Sequence, residues 1–125
     1  MPVILILTPN EAAFEPLRQA VLKAEMSAVV LTAGKKALDY LAGEPTSLIV
    51  LDLAIDSQKG LALCHAIRET ATGSLVPILM IGSGEEGVRS FGDALAEGGD
   101  YYFDKPVDLP TLISKIQTYV GVAPT

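Results

Sequence analysis

Asp52 closes the run LIVLD (48–52), four apolar residues that read as a strand buried in a sheet, followed by a carboxylate where that strand ends. An acid in such a place can be a turn former, because its side chain bonds nearby backbone N–H groups. It can equally be chemistry, because the strand ends of open α/β sheets face the crevice where ligands bind. Lys105, in Asp104-Lys105-Pro106, is a cation able to reach such a carboxylate, and Pro106 invites a cis peptide that would set its direction. Taken alone it reads equally as a solvated lysine.

Other reactive residue types are less well disposed. Cys64 and His65 are neighbours in a helix-like stretch and so point different ways, which makes the cysteine a small core residue and the histidine a surface one. Gly82-Ser-Gly-Glu-Glu-Gly87 matches G-x-G-x-x-G after a strand and ahead of a helix, as a dinucleotide fingerprint would. It follows the fourth strand rather than the first, however, and Glu85 and Glu86 would repel a pyrophosphate. The plainer reading is a flexible loop with acids favourably placed at a helix N-terminus.

Five apolar runs must position these groups: VILIL (3–7), AVVL (28–31), LIVL (48–51), PILMI (77–81) and YYF (101–103). Most are continuous rather than alternating, the mark of strands covered on both faces. Helical spacing lies between them. The first helix carries Phe14, Leu17, Val21 and Ala24, with Pro16 kinking it or marking its start. The second groups Ala37, Leu38 and Leu41 after Gly34, and the third runs from Gly60 to about Ala71 with Leu61, Cys64 and Ile67. A fourth places Val88, Phe91 and Leu95 before Gly98-Gly99, and a fifth follows an N-cap at Asp108 with Leu112, Ile113, Ile116 and Val120. Alternation of this kind predicts right-handed βαβ crossovers, hence a three-layer α/β/α fold with a doubly wound, five-stranded parallel sheet of flavodoxin-like order 2-1-3-4-5. The crevice of that order opens at the ends of strands one and three, which places Asp52 in it together with the loops Thr8 to Glu11, Asp52 to Gly60 and Gly82 to Glu86.

The stretches TAGKKALDYL, SLIVLD with Gly60 eight residues after Asp52, GLALCHAIRE, VPILMI and above all LAEGGDYYFDKPVDLPTL resemble the receiver domain of bacterial two-component response regulators over essentially the whole chain. The resemblance implies a receiver domain over residues 1–121, with 122–125 a C-terminal tail. It makes Asp52 the phosphoacceptor, Lys105 the lysine that pairs with the phosphoryl group, and Tyr102 the aromatic switch residue, and it has the Ala54 backbone carbonyl offered to Mg²⁺. In such a site a carboxylate attacks phosphorus to give an acyl phosphate, while Mg²⁺ and an ammonium neutralise the oxygens of the transferring group.

Two positions depart from the family. Its adjacent acidic pair after the first strand is replaced by Thr8-Pro9, and a small slip of register still finds no carboxylate before Glu11. Mg²⁺ takes hard oxygen ligands and parts with water reluctantly, so the loss of two carboxylates predicts a weak metal site. Asp56 could lean in but reads more simply as a solvated loop acid. At the end of the fourth strand the family's Ser or Thr is replaced by Gly82, and Ser83 supplies the hydroxyl only if the strand ends early, since a one-residue offset reverses the side chain.

Across the 125 residues, 50% are hydrophobic and 19% charged, a globular balance that needs no disulfide or metal to form a core. The net charge of −6 opposes phosphate backbones and anionic lipid, so direct nucleic-acid or membrane binding is not expected. MPVILIL lacks a basic n-region and is too short for a membrane span, and a cytoplasmic chain is expected, free-standing or the first domain of a longer regulator. The resulting expectation is a non-enzymatic signalling module. It takes phosphate on Asp52 from a histidine kinase with weak Mg²⁺ dependence, or else works as a phosphorylation-independent interaction module in which Asp52 and Lys105 simply pair. The partner or output domain is expected on the fourth helix, fifth strand and fifth helix. A small nucleotide- or flavin-binding protein using the Gly82 loop is the third reading.

Overall fold

A computed structural model describes residues 1–121; the expected 122–125 tail lies outside them. The strands are β1 (Val3–Leu7), β2 (Ser27–Leu31), β3 (Leu48–Asp52), β4 (Ile78–Gly82) and β5 (Tyr101–Asp104). They form one parallel sheet in the order β2-β1-β3-β4-β5, as the alternation predicts. Every residue of β3 and β4 is buried, which is why their sequences are apolar without alternation.

Helices α1 (Glu15–Lys23) and α5 (Leu109–Val120) cover one face of the sheet. Leu17, Val21, Leu112 and Ile116 pack there on Ile4, Ile6, Val50, Leu79 and Ile81. Helices α2 (Gly34–Gly43), α3 (Gly60–Arg68) and α4 (Phe91–Ala96) cover the other. Ala37, Leu41, Leu63, Cys64, Ile67 and Ala94 meet Leu5, Leu7, Ile49, Leu51 and Met80 on that side. Cys64 is buried, and desolvation pushes its thiol up to about 11, so it behaves as a small apolar residue; His65 is exposed and bonds Glu97.

Local signals explain most boundaries. Pro16 sits in the first turn of α1, after a 3₁₀ turn over Ala12–Phe14, and so starts the helix rather than kinking it. Asp108 caps α5 by accepting the Thr111 N–H at 3.1 Å. Helix α3 stops at Arg68, short of the expected Ala71, where the Thr70 hydroxyl donates to the Ile67 carbonyl and the Arg68 guanidinium turns to the Gly73, Val76 and Gly98 carbonyls.

The fourth helix is the clearest difference from expectation. Val88 is buried but precedes it, and Phe91 and Leu95 are about half-exposed, so Ala94 supplies the helix's buried contact. Positive φ at Gly84 and Gly87 keeps the chain in a loop until Ser90, whose hydroxyl accepts the Asp93 N–H and starts the helix.

Gly60 sets how closely α3 approaches β3. A Cβ on Gly60 would lie 2.5 Å from the Leu53 Cα and 2.8 Å from the Leu53 carbonyl oxygen, which are backbone atoms that cannot rotate away. Gly60→Ala therefore forces the Asp52 to Gly60 loop outward, with an expected loss of about 2 kcal/mol in urea unfolding. An unchanged midpoint would show that the loop yields freely.

Candidate functional site

Three strand ends converge on Asp52, whose residue is only 1% exposed. An ionised carboxylate so far from water needs partners on both oxygens. Lys105 Nζ pairs with Oδ1 at 2.8 Å, and the Ala54 N–H donates to the same oxygen at 3.0 Å. The Thr8 hydroxyl donates to Oδ2 at 2.8 Å and in turn accepts the Asn10 N–H at 3.1 Å. The loops after β1, β3 and β5 thus each give one group, and the β5 loop is fixed to β4 by the Lys105 N–H on the Gly82 carbonyl at 2.9 Å. The Lys105-Pro106 peptide is cis, as the sequence suggests.

Thr8 is the residue that sequence reasoning missed. Its sequence signal is the loss of an acid, but the side chain is buried and supplies a neutral donor in that position. The available signal was a hydroxyl directly after the fully apolar VILIL: a buried polar group at a strand end must find a partner. Pro9 and Asp56 contribute nothing to Asp52. Asp56 turns away, its carboxylate accepting the Gly34 N–H at the start of α2 from both oxygens at 3.2 Å. It stands with Ser57 and Gln58 in a run of positive φ, a tight turn that carries the chain from β3 into α3.

The donor set does not suit Mg²⁺. Both oxygens of Asp52 are already engaged, and the Ala54 carbonyl accepts the Gln58 N–H at 3.0 Å. Among the described residues no three His, Cys, Asp or Glu side chains cluster as a metal site. A small dication that demands several oxygen ligands finds one carboxylate here, already neutralised by an ammonium.

The second half of the site lies on the opposite face of the sheet. Gly82 belongs to β4 and pairs with Asp104, so the strand does not end early and Ser83 does not take its place. The Ser83 hydroxyl donates instead to Glu86 Oε2 at 2.7 Å, and its N–H donates to Oε1 at 3.0 Å. A Cβ on Gly82 would meet Glu86 Oε1 at 2.9 Å and the Tyr102 hydroxyl at 3.1 Å, so those two groups fill the space a side chain would occupy. Tyr102 is buried with its hydroxyl unpartnered, and desolvation, with the Asp104 carboxylate adding to it, pushes the phenol up to about 12. The G-x-G-x-x-G segment does not open directly into a helix, since α4 begins only at Phe91.

A five-stranded parallel sheet with a carboxylate at the end of its central strand, met by a lysine from the last strand's loop, defines a receiver-type signalling domain. Residues 4–117 match the model of the response regulator receiver domain, and the chain belongs to that family. It is 30% identical over 118 residues to the response regulator MprA of Mycolicibacterium vanbaalenii, an alignment that takes in 94% of this chain and 50% of that one. The chain spans about half the length of the curated relatives it matches. Among solved structures it resembles a Francisella response regulator receiver domain (TM-score 0.85, 18% identity, 97% of this chain and 98% of that one). It also resembles the receiver domain of the Pseudomonas aeruginosa sensor histidine kinase PA1611, solved with a magnesium ion coordinated in its active-site cleft (TM-score 0.82, 20% identity, 96% and 98%). These likenesses carry the fold.

Two measurements test the energetics of the site. Thr8→Val removes one bond to a buried charge and leaves the Asn10 N–H unpaired, with an expected cost of about 2 kcal/mol in urea unfolding. Glu86 titrates in the acid range: burial opposes its charge, but the Ser83 bonds and the attraction of Lys105 outweigh this and hold its carboxyl below the ordinary 4.5. The unfolded chain therefore binds that proton first as pH falls, so the stability Glu86 contributes is whole above 4.5 and is lost as pH drops through the lower folded value. Glu86→Gln should flatten the stability curve below that point; an identical acid limb in both proteins would exclude Glu86 as its source.

Proposed function

We propose that this receiver domain is an atypical one, a signalling module whose partner binding is set without Mg²⁺-dependent phosphorylation. The observation that carries the reading is the Thr8 hydroxyl on Asp52 Oδ2. One carboxylate and one ammonium make a neutral pair that needs no cation, and the remaining donors complete its hydrogen bonding. Lys105 holds Asp52 rather than waiting for a phosphoryl oxygen.

A second reading keeps Asp52 as the phosphoacceptor for a histidine kinase, with weak metal dependence. Its support is the arrangement itself: Asp52 and Lys105 meet at 2.8 Å, and Asp52 lines a cleft rather than the closed core. In either case the partner or output domain is assigned to the face formed by α4, β5 and α5. Phe91, Tyr101 and Phe103 stack there with centroids 5.2 and 5.0 Å apart, and the Lys115 ammonium lies 4.4 Å from the Tyr101 centroid. Aromatic side chains are enriched at protein interfaces.

The discriminating experiment is an amide NMR titration with beryllofluoride and Mg²⁺. The first reading expects no saturable shift at Asp52, Gly82, Ser83, Tyr102 or Lys105; saturable shifts that vanish in Asp52→Asn would replace it with the second. Thr8→Asp gives a complementary result. Without metal it sets two carboxylates against one ammonium and should lower Tm by several degrees, corresponding to about 1–2 kcal/mol. Added Mg²⁺ should restore most of that loss in the variant while leaving the parent unmoved.

A further inference from the structure

On the α1/α5 side of the sheet a cleft of about 610 Å³ opens directly beside the Asp52 and Lys105 pair. Phe14 and Leu17 form one wall, Val107 and Leu112 the other, and Ile81 lies at the sheet. The volume falls within the range of roughly 300–1,000 Å³ typical of small-molecule sites, and the lining is of the expected kind, apolar with a few polar groups. Three polar residues border it: Asn10, Asp52 and Lys105.

Those three are not equivalent to an incoming ligand. Asp52 is spent, with both oxygens engaged and almost no exposed surface. The Lys105 side chain is 36% exposed and has one ion-pair partner for its three N–H donors. The Asn10 carbonyl accepts the Ala13 N–H, which leaves its amide NH₂ as a second donor at the rim. The polar groups still available are therefore donors, with the Lys105 charge itself balanced by Asp52.

We propose that this cleft binds a small organic acid, an apolar or aromatic body lying between α1 and α5 with its carboxylate on Lys105. Bound in this way, the acid shares the lysine with Asp52 and loosens the one ion pair that neutralises the buried carboxylate. The site goes beyond the function proposed above and does not depend on whether Asp52 takes a phosphoryl group. Its test reads ligand binding in the absence of Mg²⁺ and phosphate donors, so the two readings fail separately.

Decanoate, decanol and decylamine share one apolar body and differ in head group, and each is titrated against the protein by amide NMR below its aggregation concentration. Decanoate should give saturable shifts confined to Phe14, Leu17, Ile81, Lys105 and Leu112, with decanol and decylamine each about tenfold weaker or more. Lys105→Met should reduce decanoate to the affinity of decanol. Ala13→Trp sends an indole into the cleft from the exposed 3₁₀ turn without touching the core, and should abolish binding of all three. The proposal is overturned if no probe saturates, if decylamine or decanol matches decanoate, or if decanoate binding survives Ala13→Trp. Because the head-group series is run on the unaltered protein, a Lys105→Met variant that fails to fold leaves the proposal fully exposed to these outcomes.

Discussion

A single buried carboxylate at the end of the central strand sets the terms for the whole upper edge of the sheet. An isolated ionised acid at that depth carries a desolvation penalty of several kcal/mol, and the fold accommodates it only because three other segments deliver donors to it. Thr8 comes from the end of β1, Ala54 from the turn after β3 and Lys105 from the loop after β5. Those strands are not all neighbours: β5 reaches β3 only across β4. The ion pair therefore ties the end of β3 to the loop after β5 across β4.

Charge arithmetic shows what Thr8 and Pro9 do to the balance around Asp52. Two further carboxylates beside Asp52 would set three negative charges against one lysine, a surplus that a divalent cation matches. With Thr8 and Pro9 in those positions the local sum is one acid and one ammonium. The Thr8 hydroxyl also does what Pro9, lacking an N–H, does not. It donates to Asp52 and accepts from Asn10, and so links the carboxylate to the turn that leads into α1.

The fold was legible because its signals are local and repeated. Continuous apolar runs mark strands covered on both faces, and Asp108, Pro16 and Gly60 each act on the backbone beside them. Asp52 and Lys105 could be brought together from topology, since strand order alone puts both loops at one edge. The same topology brings the Thr8 loop to that edge, but strand order says which loops meet and not which side chain donates to which, so the Thr8 hydroxyl bond was not legible. The fourth helix failed for the opposite reason: Val88, Phe91 and Leu95 keep a helical spacing in the sequence, but two glycines at positive φ and the Ser90 cap delay the helix past the first of them. Glu86 reads in the sequence as an acid placed at a helix N-terminus, but the loop turns its carboxylate back onto Ser83 and buries it.

Gly82 separates the two halves of the site. Asp52 and its partners face α1 and α5, whereas Tyr102 packs among the residues covered by α2, α3 and α4. The space a side chain on Gly82 would occupy is held by Glu86 and the buried Tyr102 hydroxyl, on the face away from Asp52. A change at one half can bias the other only through a group that interacts differently with its two states. Lys105 forms the ion pair with Asp52, while the Glu86 carboxylate is held chiefly by its Ser83 hydrogen bonds, with the Lys105 charge a lesser influence. Lys105 is also the member of the ion pair that stays partly open to solvent, bordering an apolar cleft, so the partner that neutralises Asp52 can be reached from outside.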